Sequence, residues 1–195
     1  IEGDVLVFRK AGAGGATLKN NLVSPSSFAS LQFDSGAPEF VLNGKPITLT
    51  GDGPGKTIIV NNSTATQTVG MNIALGADGK IDAAAGDIAV GGNISGDGYG
   101  LTKTGDNKLT LSGTNTYTGA TNIDAGTLQL DGSLTGTGGL VTVSGGAALN
   151  VAAGSSIARD VTVSGGAMSH AGTLTAGTLT LTSGSIATAA GPARV

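Results

Sequence analysis

Over the later part of the chain an apolar, a polar and an apolar residue recur in that order, followed by Ser, Asp or Thr and then Gly. "VTVSGGA" stands at Val141–Ala147 and again at Val161–Ala167. "LTLSGT" at Leu109 is echoed by "LQLDGS" at Leu128, and "LTLTSGS" at Leu179 follows Val161 at a similar interval. In an extended strand, successive side chains alternate between faces, so the two apolar residues point one way and the polar residue the other. The glycine supplies the backbone freedom for a sharp corner. No helical spacing competes with this alternation, so helix is not expected. A repeat of about 18–21 residues built of several short strands is one coil of a β-solenoid.

In such a solenoid the coils stack about 4.8 Å apart, and each strand pairs with its copies above and below. The pattern predicts inward stacks of Leu109, Leu111, Leu128, Leu130, Val141, Val143, Val161, Val163, Leu179 and Leu181. It predicts an outward row of Thr110, Gln129, Thr142, Thr162 and Thr180. The first part of the chain reads differently. All four phenylalanines and Pro25, Pro38, Pro46 and Pro54 lie there, among short strands such as "DVLVF", "ASLQF" and "EFVL" with "SPSS", "SGAP" and "GDGPG" as breaks. Residues 1–56 are therefore expected to form a β-rich cap or first irregular coils, and residues 57–195 the solenoid proper.

Composition tests this reading against disorder. Glycine is 35 of 195 residues, more than twice its average share of roughly 7%. A flexible linker of that kind is usually poor in hydrophobic residues, whereas this chain is 39% hydrophobic and only 12% charged. Dense turns joining short apolar strands account for both figures. A net charge of −3 without a basic run gives no means of neutralising phosphates, so nucleic acid is not an expected partner. No apolar run approaches the roughly 20 residues of a membrane helix, so direct membrane insertion is not expected. Cysteine is absent, which removes disulfides and thiolate sites. The sequence opens on Ile1 with no signal-like segment, and is expected to be a piece of something longer.

The stretch "ISGDGYGLTKTGDNKLTLSGTNTYTGATNIDAGTLQL", residues 94–130, resembles the autotransporter-associated β-strand repeat, also called the passenger-associated transport repeat. That pattern runs Leu-x-Lys-x-Gly, Leu-x-Leu-Ser-Gly, Asn-x-Tyr-x-Gly, x-Thr, Ala-Gly-Thr-Leu-x-Leu. Leu101, Lys103, Gly105, Leu109, Leu111, Ser112, Gly113, Asn115, Tyr117, Gly119, Thr121, Ile123, Ala125, Gly126, Thr127, Leu128 and Leu130 follow it in order. Asp106–Lys108 and Ala120 depart from it. The resemblance implies an all-β, right-handed parallel β-helix from a secreted or surface-displayed bacterial protein. The role it implies is structural, as a stalk, spacer or export-competent scaffold in adhesion or fibre assembly. The roughly 10-residue strands and aromatic girdles of an outer-membrane barrel are missing from the sequence.

No catalytic, cofactor-binding or metal-binding residue is assigned, and no cofactor is expected. His170, the one histidine, lacks partners at ligand spacing. Asp78, Asp82, Asp87 and Asp97, with Lys80 and Lys103 nearby in sequence, are the densest acidic set and carry the alternative of a polysaccharide-binding or polysaccharide-cleaving β-helix. Turn aspartates that accept backbone hydrogen bonds are the simpler expectation. "GGNISGDGYG" at Gly91–Gly100 offers one imperfect copy of a calcium-binding repeat, too little for an oxygen shell. Asn61 and Asn62 both open N-glycosylation patterns. Threonine rows would suit ice or another ordered surface, but the expected column is one threonine wide and broken by Gln129. The expected partner is structural: the ending "TSGSIATAAGPARV" has little to blunt a strand edge. The last coil is therefore expected to be continued end to end, by more of the parent chain or by a second copy. Cell-surface or polysaccharide ligands are the other candidates.

Overall fold

The computed structural model describes residues 4–9, 16–22, 26–51, 56–175 and 177–188, and among them every regular element is a β-strand. The breaks at 24–25 and 52–55 and the ending from 189 lie outside the described residues. Strands come in threes, one set to a coil. Coil 1 holds β1 (Val5–Phe8), β2 (Ala16–Asn20) and β3 (Ser26–Phe28), and coil 2 holds β4 (Ser30–Phe33), β5 (Phe40–Gly44) and β6 (Ile47–Leu49). Coil 3 is β7 (Lys56–Asn61), β8 (Gln67–Val69) and β9 (Ile73–Leu75). Coil 4 is β10 (Gly79–Asp82), β11 (Ile88–Val90) and β12 (Ile94–Ser95). Coil 5 is β13 (Leu101–Thr104), β14 (Lys108–Leu111) and β15 (Thr114–Asn115). Coils 6 and 7 are β16 (Thr121–Ile123), β17 (Thr127–Leu130), β18 (Ser133–Leu134) and β19 (Val141–Val143), β20 (Ala148–Val151), β21 (Ser156–Ile157). In coil 8 the first two strands run together as β22 (Val161–His170), followed by β23 (Thr173–Leu174), and β24 (Leu179–Thr188) opens a ninth.

All pairings are parallel and join each strand to the strand one coil away. This gives three faces. On the first, Leu31, Ile59, Ile81, Lys103, Ile123, Val143, Val163 and Leu181 are in register. On the second, Leu42, Val69, Val90, Leu111, Leu130, Val151, His170 and Thr188 are in register. β22 joins these two faces into a 16-stranded sheet, and the third face is two four-stranded sheets. Thr116 N–H donates to Ile94 O at 2.8 Å, carrying the stacking across the gap between those two sheets. The fold is thus the all-β parallel β-solenoid expected from the alternation.

The core is the set of inward columns. Leu109, Leu111, Leu128, Leu130, Val141, Val143, Val161 and Val163 are fully buried, each such side chain contributing about 1.5–3 kcal/mol of hydrophobic stabilisation. Leu179 and Leu181 differ from the expectation, at 36% and 50% exposed. They keep the register of Val161 and Val163, but among the described residues no further coil covers them. The single outward row is also corrected. Thr110 and Gln129 lie on the second face with Asn150 and Ser169. Thr142, Thr162 and Thr180 lie on the first face with Asn122 and Thr102. The "VTV" units at Val141 and Val161 and the "LTL" unit at Leu179 lie on the first face, whereas "LTL" at Leu109 and "LQL" at Leu128 lie on the second, so these local copies of one strand pattern form two ranks and not one.

Coil length is not uniform, and the N-terminal coils exceed the repeat expected from the later sequence. The first-face register makes its longest step from Leu31 to Ile59, and shorter, equal steps to Ile81 and Lys103. It then settles to a constant, still shorter step through Ile123, Val143 and Val163, and the step to Leu181 is the shortest. The wider early coils are filled by aromatic rings. Phe28, Phe33 and Phe40 are buried, and Phe8 stacks on Phe33 with ring centroids 4.8 Å apart.

Candidate functional site

Most of the residues that carry the repeat pattern point into the coil, while Ser112 is exposed and Ala125 and Thr127 are half-buried at its corners. Leu101, Lys103, Leu109, Leu111, Asn115, Tyr117, Thr121, Ile123, Leu128 and Leu130 are all buried. What the pattern builds is a polar lining for the corners of an apolar tube.

Lys103 occupies a first-face position held by Ile81 in the coil before and Ile123 in the coil after. Its aliphatic stem completes the column, and its ammonium reaches a corner. There Nζ donates to Thr104 O and Gly105 O, both at 2.7 Å, and to Ala125 O at 3.1 Å. Three carbonyls match the three protons of an ammonium, and Ala125 belongs to the next coil, so the lysine ties two coils together. Burial lowers its pKa to about 8, opposed by the charges of Asp82, Asp106 and Asp87. A lysine depressed in the folded state penalises folding at pH values below its folded pKa. That penalty is relieved as pH rises from about 8 toward the unfolded value of about 10.4. Comparing denaturation midpoints of the parent and Lys103→Met checks this: the parent should gain on the variant between pH 8 and pH 10. At pH 7 the variant should still be the weaker by roughly 2–3 kcal/mol, because three carbonyls lose their donor. A pH-independent difference would show that the ammonium is not desolvated.

A second polar group fills the corner between the third and first faces. Tyr117 is fully buried, and its hydroxyl lies 2.8 Å from Thr121 Oγ1. The Arg159 guanidinium carbon lies 4.6 Å from the Tyr117 ring centroid. Arg159 Nε donates to Gly136 O at 2.7 Å and Nη1 to Gly119 O at 2.9 Å and Thr121 Oγ1 at 3.2 Å. Its Nη2 donates to Tyr117 O. Burial lowers the arginine pKa and raises that of Tyr117. Asn61, Gln67 and Asn115 serve other corners in the same manner: Asn61 Nδ2 donates to Ala65 O and Asp87 O, Gln67 Oε1 accepts from Phe40 N, and Asn115 Oδ1 accepts from Ile94 N.

Of the candidate carboxylates, Asp82 and Asp87 both bear on the Lys103 ammonium, and Asp87 Oδ2 pairs with Lys108 Nζ at 3.6 Å, while Asp78 and Asp97 are engaged elsewhere. Asp78 Oδ1 accepts from Gly100 N at 2.7 Å and Asp87 Oδ1 from Lys108 N at 2.9 Å, each reaching the following coil. Asp97 Oδ1 accepts from the Thr118 hydroxyl at 3.1 Å. Asp82 sits on the first face in register with Thr104. Lys80 is in register with Thr102 on that face, while the Lys103 ammonium is engaged inside. Among the described residues no group of three or more His, Cys, Asp or Glu could hold a metal ion. His170 stands in the second-face column beside Val151, its Nδ1 without a hydrogen-bond partner among the described residues. Asn61, read in the sequence as a glycosylation position, is buried and engaged by its corner. The repeat pattern does not mark Arg159, Gln67 or Asn61 as interior groups. Gln67 and Asn61 nevertheless sit at the inward parity of their strands, as in Gln67-x-Val69 and Ile59-x-Asn61, while Arg159 lies in the bend just past β21.

Residues 101–130, which run from β13 to the end of β17, match the passenger-associated-transport-repeat family model. No curated protein and no solved structure matches the chain. The matched repeat and the stacked parallel coils together fit an autotransporter passenger module. The repeat family implies secretion or surface exposure.

Proposed function

We propose that this chain is a non-enzymatic, elongated segment of a bacterial surface or secreted autotransporter-like protein, acting as a stalk or scaffold that holds other parts away from the cell. One observation carries the reading. The residues of the matched repeat are the interior and corners of coils 5 and 6, so the pattern specifies a coil rather than an outward-facing site. An element that spends its distinctive residues on its own stacking is suited to length and stiffness. The role rests on parallel coils of about 4.8 Å each, added one on another without limit. The direct test joins residues 1–195 to an outer-membrane barrel in a Gram-negative host and asks whether added protease removes the segment from intact cells. Retention inside the cell, with the same barrel exporting a control passenger, would overturn the export role.

End-to-end contact belongs to the same proposal. Leu179 and Leu181 extend buried columns into an exposed position, and Val5, Val7 and Leu18 are exposed on coil 1. A coil stacked on the last one, from the parent chain or a second copy, would cover the two leucines and pair the edge of β24 that no described strand covers. Sedimentation velocity of residues 1–195 should show mass growing with concentration, and Leu181→Glu should reduce that growth. A parent that stays monomeric at every concentration would remove the second copy from the proposal.

A further inference from the structure

Stacked-coil proteins ordinarily hold together through nearest neighbours, so a frayed end opens one coil at a time. Lys103 conforms, since its acceptors lie in its own coil and the next. Arg159 does not. It belongs to the corner that ends coil 7, yet its acceptors are Gly136 at the end of coil 6, Thr121 in β16 of coil 6, and Gly119 and Tyr117 at the end of coil 5. The longest of these reaches spans 42 residues, two coils rather than one.

We infer that Arg159 is a clasp that makes coils 5 to 7 open and close as one unit, and so a stop against unravelling from the C-terminal side. Withdrawing coil 7 would strip the donor from the carbonyls of Gly136, Gly119 and Tyr117 together and remove the cation from the face of the Tyr117 ring. Each buried carbonyl left bare is costly, so loss of coil 7 also destabilises coils 5 and 6. The guanidinium is suited to this. It is planar, carries five donors in a fixed fork, and is held here by neutral carbonyls and a ring, with no carboxylate ion pair among the described residues. Among the described residues coil 8 and β24 contribute no acceptor to it, and they stand outside the clasped unit.

The consequence is an uneven solenoid: a frayed coil 8 and β24, then an abrupt boundary at coil 7. This goes beyond the scaffold reading and is tested separately from it, since amide exchange is indifferent to export. Native-state hydrogen exchange of residues 1–195, followed by mass spectrometry across rising denaturant, should show peptides within 114–160 merging onto one opening curve. Peptides from 173–188 should open well before it. Arg159→Met should lower protection at 114–123 and 133–143 as much as at 156–160, by at least tenfold, while 67–95 keeps parental protection. Arg159→Lys, which cannot span the same acceptors, should fall close to Met. A smooth coil-by-coil gradient through 114–160 in the parent would overturn the clasp, and this measurement needs no variant to fold. So would an Arg159→Met protein that loses protection at 156–160 alone.

Discussion

Replacing Leu128 with Asp is expected to abolish cooperative folding of the central coils, at a cost above about 4–5 kcal/mol. Leu128 is fully buried, in register with Leu109 below and Leu149 above. A carboxylate placed there meets apolar side chains from both neighbouring coils and has no donor to accept from. Leu128→Ala, which leaves a cavity without a charge, should cost about 2–5 kcal/mol. The two variants separate further with pH. Burial raises the folded-state pKa of the introduced Asp above its unfolded value, so stability is recovered as pH falls through the folded pKa, where the neutral acid is buried instead. Leu128→Asp should therefore gain on Leu128→Ala in mild acid. Thermal melts followed by circular dichroism check both effects, at about 2–4 °C per kcal/mol for a chain of this size. An Asp variant as heat-resistant as the parent would place Leu128 on the outside and overturn the register.

That register was legible because the alternation of Leu109-Thr110-Leu111 and Leu128-Gln129-Leu130 is a direct image of the strand pleat, and the shift from the first to the second is the coil itself. What alternation cannot show is which face a strand lies on. "VTV" at Val141 and "LTL" at Leu109 are locally equivalent, yet pairing puts them on different faces, since that depends on how many strands complete a turn. The wider early coils were foreshadowed by their phenylalanines, though not by any repeat, because the long step from Leu31 to Ile59 carries no internal copy. The polar interior was the least legible part. A lysine, an arginine and an asparagine read as solvated on general grounds; strand parity marks Lys103 and Asn61 as inward, and nothing local marks Arg159, which lies in a bend past β21. Tyr117 and Lys103 were visible as pattern residues, while their acceptors, such as the carbonyls of Gly105 and Ala125, have no sequence signature.

Glycine in this chain serves closeness as much as turning, and the second large effect follows from that. At Gly113 a Cβ would collide with Gly92 O, and would lie 2.7 Å from Gly92 C and 2.8 Å from Asn93 Oδ1. Gly132 stands on Gly113 in the same way, its own Cβ position overlapping Gly113 O. The main-chain obstacles are fixed by the ladders of coils 4, 5 and 6, so they cannot swing aside as a flexible side chain would. Gly113→Ala must lift the corner of coil 5 away from coil 4. That strains the bond from Thr114 N to Asn93 Oδ1 at 2.8 Å and the bond from Ser112 N to Val90 O at 3.0 Å. Overpacking of this kind costs about 1–3 kcal/mol where side chains can yield, and more is expected where the obstacle is main chain. Gly154 provides the control. Its φ is +86° but nothing lies within 4 Å of a Cβ there, so Gly154→Ala should cost only the left-handed penalty of about 1–2 kcal/mol. Denaturation midpoints should therefore rank parent, Gly154→Ala and Gly113→Ala in falling order. The reverse order of the two variants would mean that the coils do not approach as closely at this corner as Gly92, Gly113 and Gly132 require.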